Sequence, residues 1–393
     1  MAVSEPVHIV FDDIFLATQT SGISRYWLSI LDCWSRSEFT DDGKITVLNR
    51  SQKIKHHQFD FIPMAPVGLD QRFTAYDRDL LTKICNTIAG KIFISSYYTF
   101  PIETRSLFFS YDLIPEKYGF DERDRSWIDR KLYLSIGQDF IAISESTKKD
   151  LIGYYPWISP DDVTVATPGI AHHVFNQKAM ENTSSFRNRF SVNSEYVVLP
   201  GLRRGTDDYK NGRLLFEMLN QVSDFKFEII CTGGEPLSEW EIGVCKRAGV
   251  KLQRLELSDD QLAACFAGAH AVIYPSLYEG FGMPPLEALA VGTPVITTLK
   301  SSLPESVGSL SLEISGQNPL ELHAQIIRAG DPLWRARVAA EGPVWASRFR
   351  WEDTADHILS RAIEAANRPP MKSEEVIQER LTKYNQLAIR LQH

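Results

Sequence analysis

The chain has 393 residues, of which 44% are hydrophobic and 23% are charged, and its formal net charge is −8. This composition is ordinary for a globular protein, and the length predicts two domains rather than one. The acidic balance argues against broad binding to nucleic acid, which requires clustered Lys and Arg.

Cysteine usage and hydropathy predict the cellular setting. The five cysteines lack the close spacing of a metal or redox motif, so we expect reduced, mostly buried thiols and no metal site. The first residues, MAVSEPVHIVFDDIF, have no basic region before an apolar run, and no stretch of about 18 apolar residues follows. We therefore expect a cytoplasmic protein, with peripheral contact at the inner membrane as an open alternative.

The N-terminal half alternates short apolar segments with helical ones, a pattern typical of a mostly parallel sheet covered by helices on both faces. The predicted strands are Val7–Phe11, Ile45–Leu48, Lys91–Ser95, Ser106–Ser110, Phe140–Ile143 and Val163–Ala166. The predicted helices are Ser21–Trp34, Ala75–Ala89 and Arg123–Gly137. We assign residues 1–178 to this first domain.

A polar segment, Asn176–Ser194, follows, and we interpret residues 179–194 as a linker. A second alternation then predicts another doubly wound domain over residues 195–365. Its predicted strands are Tyr196–Pro200, Phe227–Cys231, Lys251–Arg254, Ala271–Tyr274 and Pro294–Thr297. Its predicted helices are Gly212–Val222, Glu239–Ala248, Asp259–Gly268 and Pro284–Val291, with further helix from Asn318 to about Asn367.

The C-terminal extension, residues 366–393, contains a helical pattern after Pro369 and Pro370. One stripe of its residues repeats at spacings of four and three: Ile377, Leu381, Tyr384, Ala388 and Leu391. Docking of this stripe on the chain's own body is the favoured interpretation, because fewer than four heptads are present. A short helix that forms a homodimer is the alternative.

The stretch Tyr274–Thr298 carries the clearest chemistry. It reads as a strand, a loop with Gly280 and Gly282, and a helix that opens with two prolines. The glycines remove side chains where a ligand must approach the backbone, and the helix N-terminus suits a diphosphate. The carboxylates of Glu279 and Glu287 can accept the paired hydroxyl hydrogen bonds that sugars and ribose offer.

This string closely resembles the retaining glycosyltransferases of sequence family 4. That family has the GT-B architecture, an α/β fold with two Rossmann-like doubly wound domains facing a cleft. Its hallmark is a Glu, seven residues and a second Glu, with Gly-Phe-Gly after the first, and Glu279 and Glu287 match it. The resemblance implies that Glu279 contacts donor-sugar hydroxyls, that Glu287 holds the nucleotide ribose, and that the backbone of Gly280, Phe281 and Gly282 lies against the sugar and phosphates.

Further segments from about residue 7 to residue 365 resemble the same family. SGISRYW, which contains Gly22, resembles the glycine loop that faces the diphosphate. Other matching segments are YDLIP, ISESTKKDL, TPGI, PGLRRGTDDYKN, SSLPESVG and FRWEDTA. The resemblance also implies that the family's final helix, near Trp351–Ala366, crosses back to the N-terminal domain.

The loop PGLRRGTDDYKN resembles one in which an Arg and a Lys neutralise the donor diphosphate. Lys210 stands in the Lys-Asn pair, and Arg203 is preferred to Arg204 by its alignment with the glycine. Cations stabilise the charge of a leaving diphosphate without a metal ion or cofactor.

Tyr111 is the main departure from the family, which usually has His there. That His hydrogen-bonds the donor sugar, whereas Tyr can donate a hydrogen bond but cannot take up a further proton and carry a positive charge at neutral pH. A packed aromatic side chain is the alternative interpretation of Tyr111. The next residue, Asp112, lies in the usual place and is expected to brace its own loop beside the donor.

The resemblance predicts a metal-independent transferase that moves a hexosyl group from a nucleoside diphosphate sugar to a saccharide or lipid-linked acceptor in polysaccharide biosynthesis. Its partners would be the nucleotide sugar and the acceptor, with GDP-mannose or a related donor favoured and no nucleic acid. The alternatives are a non-catalytic binding or scaffold subunit and, less favoured, a nucleotide-sugar epimerase. A dinucleotide oxidoreductase is disfavoured, because no GxGxxG follows a strand.

Overall fold

The structure is a computed structural model that describes residues 7–18, 22–39, 44–65, 75–120, 125–203 and 209–368, with isolated positions 382 and 386. Its strands are β1 (His8–Asp12), β2 (Lys44–Asn49), β3 (Asp60–Pro63), β4 (Ile92–Ser95), β5 (Ser106–Ser110), β6 (Asp139–Ala142), β7 (Val163–Val165), β8 (Tyr196–Pro200), β9 (Glu228–Thr232), β10 (Leu252–Leu255), β11 (Ala271–Tyr274), β12 (Val295–Thr297) and β13 (Ser311–Glu313).

The described α-helices alternate with these strands. They are α1 (Ile14–Thr18), α2 (Gly22–Ser35), α3 (Ala75–Thr87), α4 (Ile114–Lys117), α5 (Arg125–Ile136), α6 (Glu145–Tyr154), α7 (Thr183–Arg189), α8 (Arg213–Leu219), α9 (Glu239–Ala248), α10 (Asp259–Ala267), α11 (Met283–Ala290), α12 (Leu303–Val307), α13 (Pro319–Arg328), α14 (Pro332–Ala346) and α15 (Trp351–Ala366). Across the described ranges, none of them is long and apolar enough to cross a membrane.

The first compact unit comprises residues 1–168 and 351–393. Its seven strands form a parallel sheet in the order β3-β2-β1-β4-β5-β6-β7. The central strands β1, β4 and β5 are buried along their whole length, as expected of a parallel sheet covered on both faces. The sequence does not predict the edge strand β3, because its sequence, DFIP, is short and both of its end residues are exposed.

Helix α15 belongs to this first unit although it follows the second unit in sequence. It packs against α2, where the indole nitrogen of Trp34 donates a hydrogen bond to the carbonyl oxygen of Ala355 at 3.1 Å. The guanidinium group of Arg361 lies 3.1 Å from the buried carboxylate of Asp139 on β6. An apolar stripe and one buried ion pair therefore attach the helix to its unit.

The second unit comprises residues 169–350. Its six strands form another parallel sheet in the order β10-β9-β8-β11-β12-β13. Strand order reverses direction between β8 and β11, and ligands of doubly wound sheets bind beyond the carboxyl ends of strands at such a point. The two sheets confirm the predicted α/β fold with two Rossmann-like doubly wound domains.

The boundary between the units differs from the predicted one. The structure divides the chain after Pro168 and again after Arg350, rather than at residues 178, 195 and 365. The expected linker, 179–194, contains a 3₁₀ turn (Gln177–Asn182) and α7, both packed on α10. Three residues of this polar segment are buried: Ala179, Phe186 and Val192. The ring of Phe186 lies 6.3 Å from that of Tyr196.

The apolar stripe of the C-terminal extension, from Ile377 to Leu391, lies outside the described residues. Its docking and its role in a homodimer stay predictions. The five cysteines are free thiols, and all except Cys33 are buried. Burial raises the pKa of Cys85 and of Cys245 to about 12, which fits the expected unreactive core cysteines.

Candidate functional site

The loop between β11 and α11 lies at the carboxyl end of a central strand of the second sheet. Gly282 is the N-cap of α11 and has a φ of 97°, a conformation that disfavours residues with a side chain. A Cβ atom added there would lie 2.8 Å from the side chain of Leu303. Gly282 therefore allows the chain to turn sharply into the helix and leaves the helix N-terminus facing this loop.

Glu279 and Lys210 meet within this loop region. Lys210 Nζ donates hydrogen bonds to both carboxylate oxygens of Glu279, at 2.8 Å and 2.9 Å. The side chains are 16% and 9% exposed. Burial lowers the pKa of Lys210, but the charge and hydrogen bonds of Glu279, with the nearby Tyr274 and Tyr209, together raise it by more. The pKa therefore lies above its ordinary value, and the lysine stays protonated.

Asn211 fixes the position of Lys210. Its side-chain nitrogen donates to the carbonyl oxygens of Pro275 at 3.1 Å and Gly316 at 2.8 Å. The backbone nitrogen of Leu277 also donates to the carbonyl oxygen of Tyr209 at 2.7 Å. These bonds join the lysine loop to the loop after β11, which explains why Lys and Asn occur as a pair.

The backbone of Glu279 is held from a third segment. The hydroxyl groups of Ser301 and Ser302 donate to its carbonyl oxygen at 2.7 Å and 2.8 Å. These serines belong to the SSLPESVG segment, in which no residue has an individually predicted role. The sequence does contain an indication of this contact, because consecutive serines before a short helix can reach a neighbouring loop.

The other predicted donor contacts of this loop differ in their surroundings. Phe281 is 2% exposed, and its ring centroid lies 5.6 Å from that of Phe349, so its side chain is a core contact. Glu287 on α11 is 2% exposed. Gly280 is partly exposed. Their predicted contacts with sugar, phosphate and ribose stay predictions.

Arg203 has a different environment from the predicted one. Its side chain is fully buried, and its Nε atom donates to Glu241 Oε1 at 3.0 Å. Glu241 also accepts hydrogen bonds from Ser238 in the capping box of α9. The guanidinium group is thus committed to a buried ion pair, which does not support the predicted diphosphate contact. Arg204 lies outside the described residues.

Tyr111 is enclosed within the first unit rather than open to a ligand. It is 4% exposed; its hydroxyl group donates to the carbonyl oxygen of Ser96 at 2.8 Å and accepts from the indole nitrogen of Trp27 at 2.6 Å. Burial raises its pKa well above the ordinary value. The structure therefore supports the packed-aromatic interpretation, and the catalytic role of Tyr111 stays a prediction.

Two further residues that the sequence predicts for the donor site belong to the first unit. Asp112 Oδ1 accepts a hydrogen bond from the backbone nitrogen of Ile114 at 3.1 Å, which braces the loop as expected. Gly22 is exposed at the first position of α2, and an added Cβ would meet open space. Across the described ranges, no group of three or more His, Cys, Asp or Glu residues could hold a metal ion.

Comparison with known proteins assigns a domain to this region. Residues 226–329, which include Glu279, Glu287 and the whole loop between β11 and α11, match the family model described as Glycosyl transferases group 1. This match covers about a quarter of the chain and lies within the second unit. The matched residues span strands β9 to β13 and therefore most of the second sheet.

Curated relatives include two Escherichia coli proteins. O-antigen chain mannosyltransferase B is 38% identical over 103 residues, which are 26% of this chain and 27% of the relative. Serotype-specific mannosyltransferase WbdA is 23% identical over 277 residues, which are 67% of this chain and 34% of that protein. The chain therefore spans about a third or less of the length of these relatives.

Solved structures share the whole architecture. Anabaena HepE in complex with UDP and glucose aligns with a TM-score of 0.69 and 15% identity, and the alignment covers 90% of this chain and 98% of HepE. At this identity the likeness shows the fold alone. It confirms the predicted GT-B class through two parallel-sheet, Rossmann-like units.

Proposed function

We propose that the chain is a retaining glycosyltransferase of sequence family 4. It transfers a hexosyl group from a nucleoside diphosphate sugar to a hydroxyl group of a saccharide or lipid-linked acceptor during polysaccharide synthesis. One observation carries this proposal: the buried Lys210–Glu279 pair lies where a glycine loop ends in a helix N-terminus. A cation, a carboxylate that can accept hydrogen bonds from sugar hydroxyls, and a helix N-terminus thus occur together.

In this proposal Lys210 and the N-terminus of α11 stabilise the diphosphate as it leaves. Glu279 accepts hydrogen bonds from the donor-sugar hydroxyls, and Glu287 accepts them from the ribose. Lys210 already has a carboxylate partner, so an incoming phosphate shares the ammonium group with Glu279. The positive charge therefore faces the leaving group without needing a metal ion.

The acceptor attacks the same face of the donor sugar that the diphosphate leaves. A phosphate oxygen of the leaving group takes the acceptor proton, since no side chain of this loop is assigned as a covalent nucleophile. The product then keeps the anomeric configuration of the donor. NMR analysis of the product's anomeric proton tests this step, and an inverted product would overturn it.

GDP-mannose, or a related donor, is the favoured substrate. The support is that relatives matched over 26% and 67% of the chain are named mannosyltransferases. Competition among GDP-mannose, UDP-glucose and dTDP-glucose in a turnover assay tests the preference. Transfer from UDP-glucose alone would contradict it.

Nucleotide binding is the first experiment. A ligand that binds only the folded state raises the melting temperature according to RT ln(1 + [L]/Kd). We expect GDP to stabilise the wild type more than UDP, dTDP or ADP, and Glu287→Gln to remove the response. Glu313→Gln, an exposed glutamate on β13, is the matched control. A full response in Glu287→Gln would contradict the assigned ribose contact.

A non-catalytic binding or scaffold subunit is the second candidate. The observation that favours it is Tyr111, whose hydroxyl group is closed between Trp27 and Ser96. Slow hydrolysis of the donor without acceptor separates the two functions. Nucleotide binding with neither hydrolysis nor transfer would favour the scaffold.

A further inference from the structure

A cavity of about 460 Å³ opens on the first unit, between α4, α5 and the end of α6. Its size falls in the range of small-molecule sites, which are about 300–1,000 Å³. The cavity is separate from the loop after β11 and from the side chains that enclose Tyr111. Its walls are rich in aromatic rings: Phe120, Trp127, Tyr154, Tyr155 and Trp157.

The floor of the cavity is an ion pair. Arg130 Nε donates to Glu116 Oε1 at 2.9 Å, and Arg130 Nη2 donates to Glu116 Oε2 at 3.2 Å. The Tyr155 hydroxyl group donates to Glu116 Oε1 at 2.8 Å. The two charges neutralise each other, so the floor offers polar atoms without a net charge.

Two aromatic side chains at the cavity remain open to solvent. Trp157 is 58% exposed and Tyr154 is 44% exposed. The Trp157 ring packs edge-on against Tyr155 with centroids 5.4 Å apart, and Phe120 packs similarly against Trp127 at 5.3 Å. Held rings of this kind present flat apolar faces at a low cost in conformational entropy.

The aromatic walls and the polar floor of the cavity together indicate the class of ligand that it binds. A pyranose ring has an apolar C–H face that fits an aromatic ring and hydroxyl groups that fit a carboxylate. Among the described residues, three hydrogen bonds reach the Glu116 carboxylate, and a carboxylate accepts about four. The polar atoms of the floor and the Lys131 side chain in the wall disfavour a wholly apolar chain as the ligand.

We propose that this cavity is a binding subsite for a glycan, namely a segment of the saccharide acceptor remote from the reacting hydroxyl. The assignment as an acceptor subsite rests on the proposed function. The floor is joined to the loop that follows β5, because Arg130 also donates a hydrogen bond to the carbonyl oxygen of Asp112. A glycan bound against Trp157 therefore lies beside the Arg130–Glu116 ion pair, which also holds the Asp112 loop in position.

Titration of the full chain with mannotriose and maltotriose, followed by saturation-transfer NMR, tests the subsite. We expect at least one trisaccharide to bind the wild type, and Trp157→Ala and Tyr154→Ala each to weaken its affinity about tenfold. Both residues are exposed, so the variants should fold. Trp240→Ala removes an exposed tryptophan of the second unit and should bind as the wild type does.

Three results would overturn the subsite. One is the absence of binding of both sugars to the wild type at about 10 mM, and another is unchanged affinity in Trp157→Ala. The third is a Trp157→Ala protein that no longer sediments with phosphatidylglycerol vesicles but still binds sugar as the wild type does. That result would assign a lipid contact to Trp157. The GDP-induced rise in melting temperature is measured in parallel. If GDP does not raise the melting temperature while sugar binding is intact, the proposed function is contradicted and the glycan site is retained.

Discussion

Lys210 Nζ lies 2.8 Å from one carboxylate oxygen of Glu279 and 2.9 Å from the other. The ammonium group is therefore shared almost equally between the two oxygens, in a region where both side chains are largely removed from solvent. If either residue were replaced, the other would keep an unpaired and poorly solvated charge. The ion pair therefore couples the lysine loop to the loop after β11.

Removal of one member of this pair should cost more stability than removal of both. We expect Lys210→Met to lower the free energy of unfolding by about 2 kcal/mol or more, because Glu279 is left unpaired. The double variant Lys210→Met with Glu279→Gln should recover part of that loss. Urea denaturation measures both, with Lys300→Met, an exposed lysine, as the control. Additive losses would show that the two side chains do not interact.

Arg203 and Arg204 should behave differently. Arg203→Met breaks a fully buried ion pair with Glu241 and should destabilise the chain by about 3 kcal/mol. Arg204 is the alternative diphosphate contact that the resemblance offers, and we expect Arg204→Met to weaken GDP binding with little effect on the melting temperature. Calorimetry and nucleotide titration separate the two effects. A stable Arg203→Met protein with weakened GDP binding would restore Arg203 to the donor site.

Tyr111→Phe tests the enclosed hydroxyl group. The change leaves the indole N–H of Trp27 and the carbonyl oxygen of Ser96 without this partner, at a cost of about 1–3 kcal/mol. The GDP-induced stabilisation and the rate of donor hydrolysis should stay within about twofold of the wild type. A large loss of hydrolysis in a well-folded Tyr111→Phe protein would return Tyr111 to a catalytic role.

Stability of the first unit should depend on pH through Asp13. Burial, the largest cause, raises the pKa of Asp13 to about 6, despite hydrogen bonds from Ser51 and the backbone of Arg50. Because the folded-state pKa lies above the ordinary value of 3.8, the protonated form stabilises the fold. This contribution, on the order of 2–3 kcal/mol, is present below pH 4 and is lost as pH rises through 6.

Asp13→Asn should therefore flatten the pH dependence of unfolding between about pH 4 and pH 7 and stabilise the protein at neutral pH. An amide oxygen at residue 13 can still accept the hydrogen bond from the backbone nitrogen of Arg50, now 2.7 Å from Asp13 Oδ1. Melting curves at several pH values measure the effect. Equal pH slopes in the wild type and the variant would contradict the raised pKa.

The sequence predicted both sheets because most of their central strands are short apolar runs separated by helical patterns. It missed β3 and β13, whose sequences DFIP and SLE are short and partly exposed. It also read 179–194 as a linker, since a few buried residues such as Phe186 in a polar segment carry little periodic signal. Local pattern thus predicts the central strands and two of the four edge strands, β7 and β10.

The candidate site was only partly predictable for a different reason. Glu279 and Lys210 are brought together by pairing of their loops, and each loop carries a recognisable string of residues. Whether Arg203 faces a ligand or Glu241 depends on the position of α9, which is far away in sequence. The partners of Tyr111 come from α2 and the end of β4, so no local pattern could show that its hydroxyl group is enclosed.

The chain leaves the first unit after Pro168 and returns to it at Trp351. During synthesis, the surface of α2 that holds Trp34 therefore stays uncovered until the whole second unit has been translated. A chain stopped at residue 350 would contain every strand of both sheets yet expose that tryptophan to solvent. The second unit, by contrast, is one uninterrupted stretch of sequence and can complete its fold while the first still awaits its last helix.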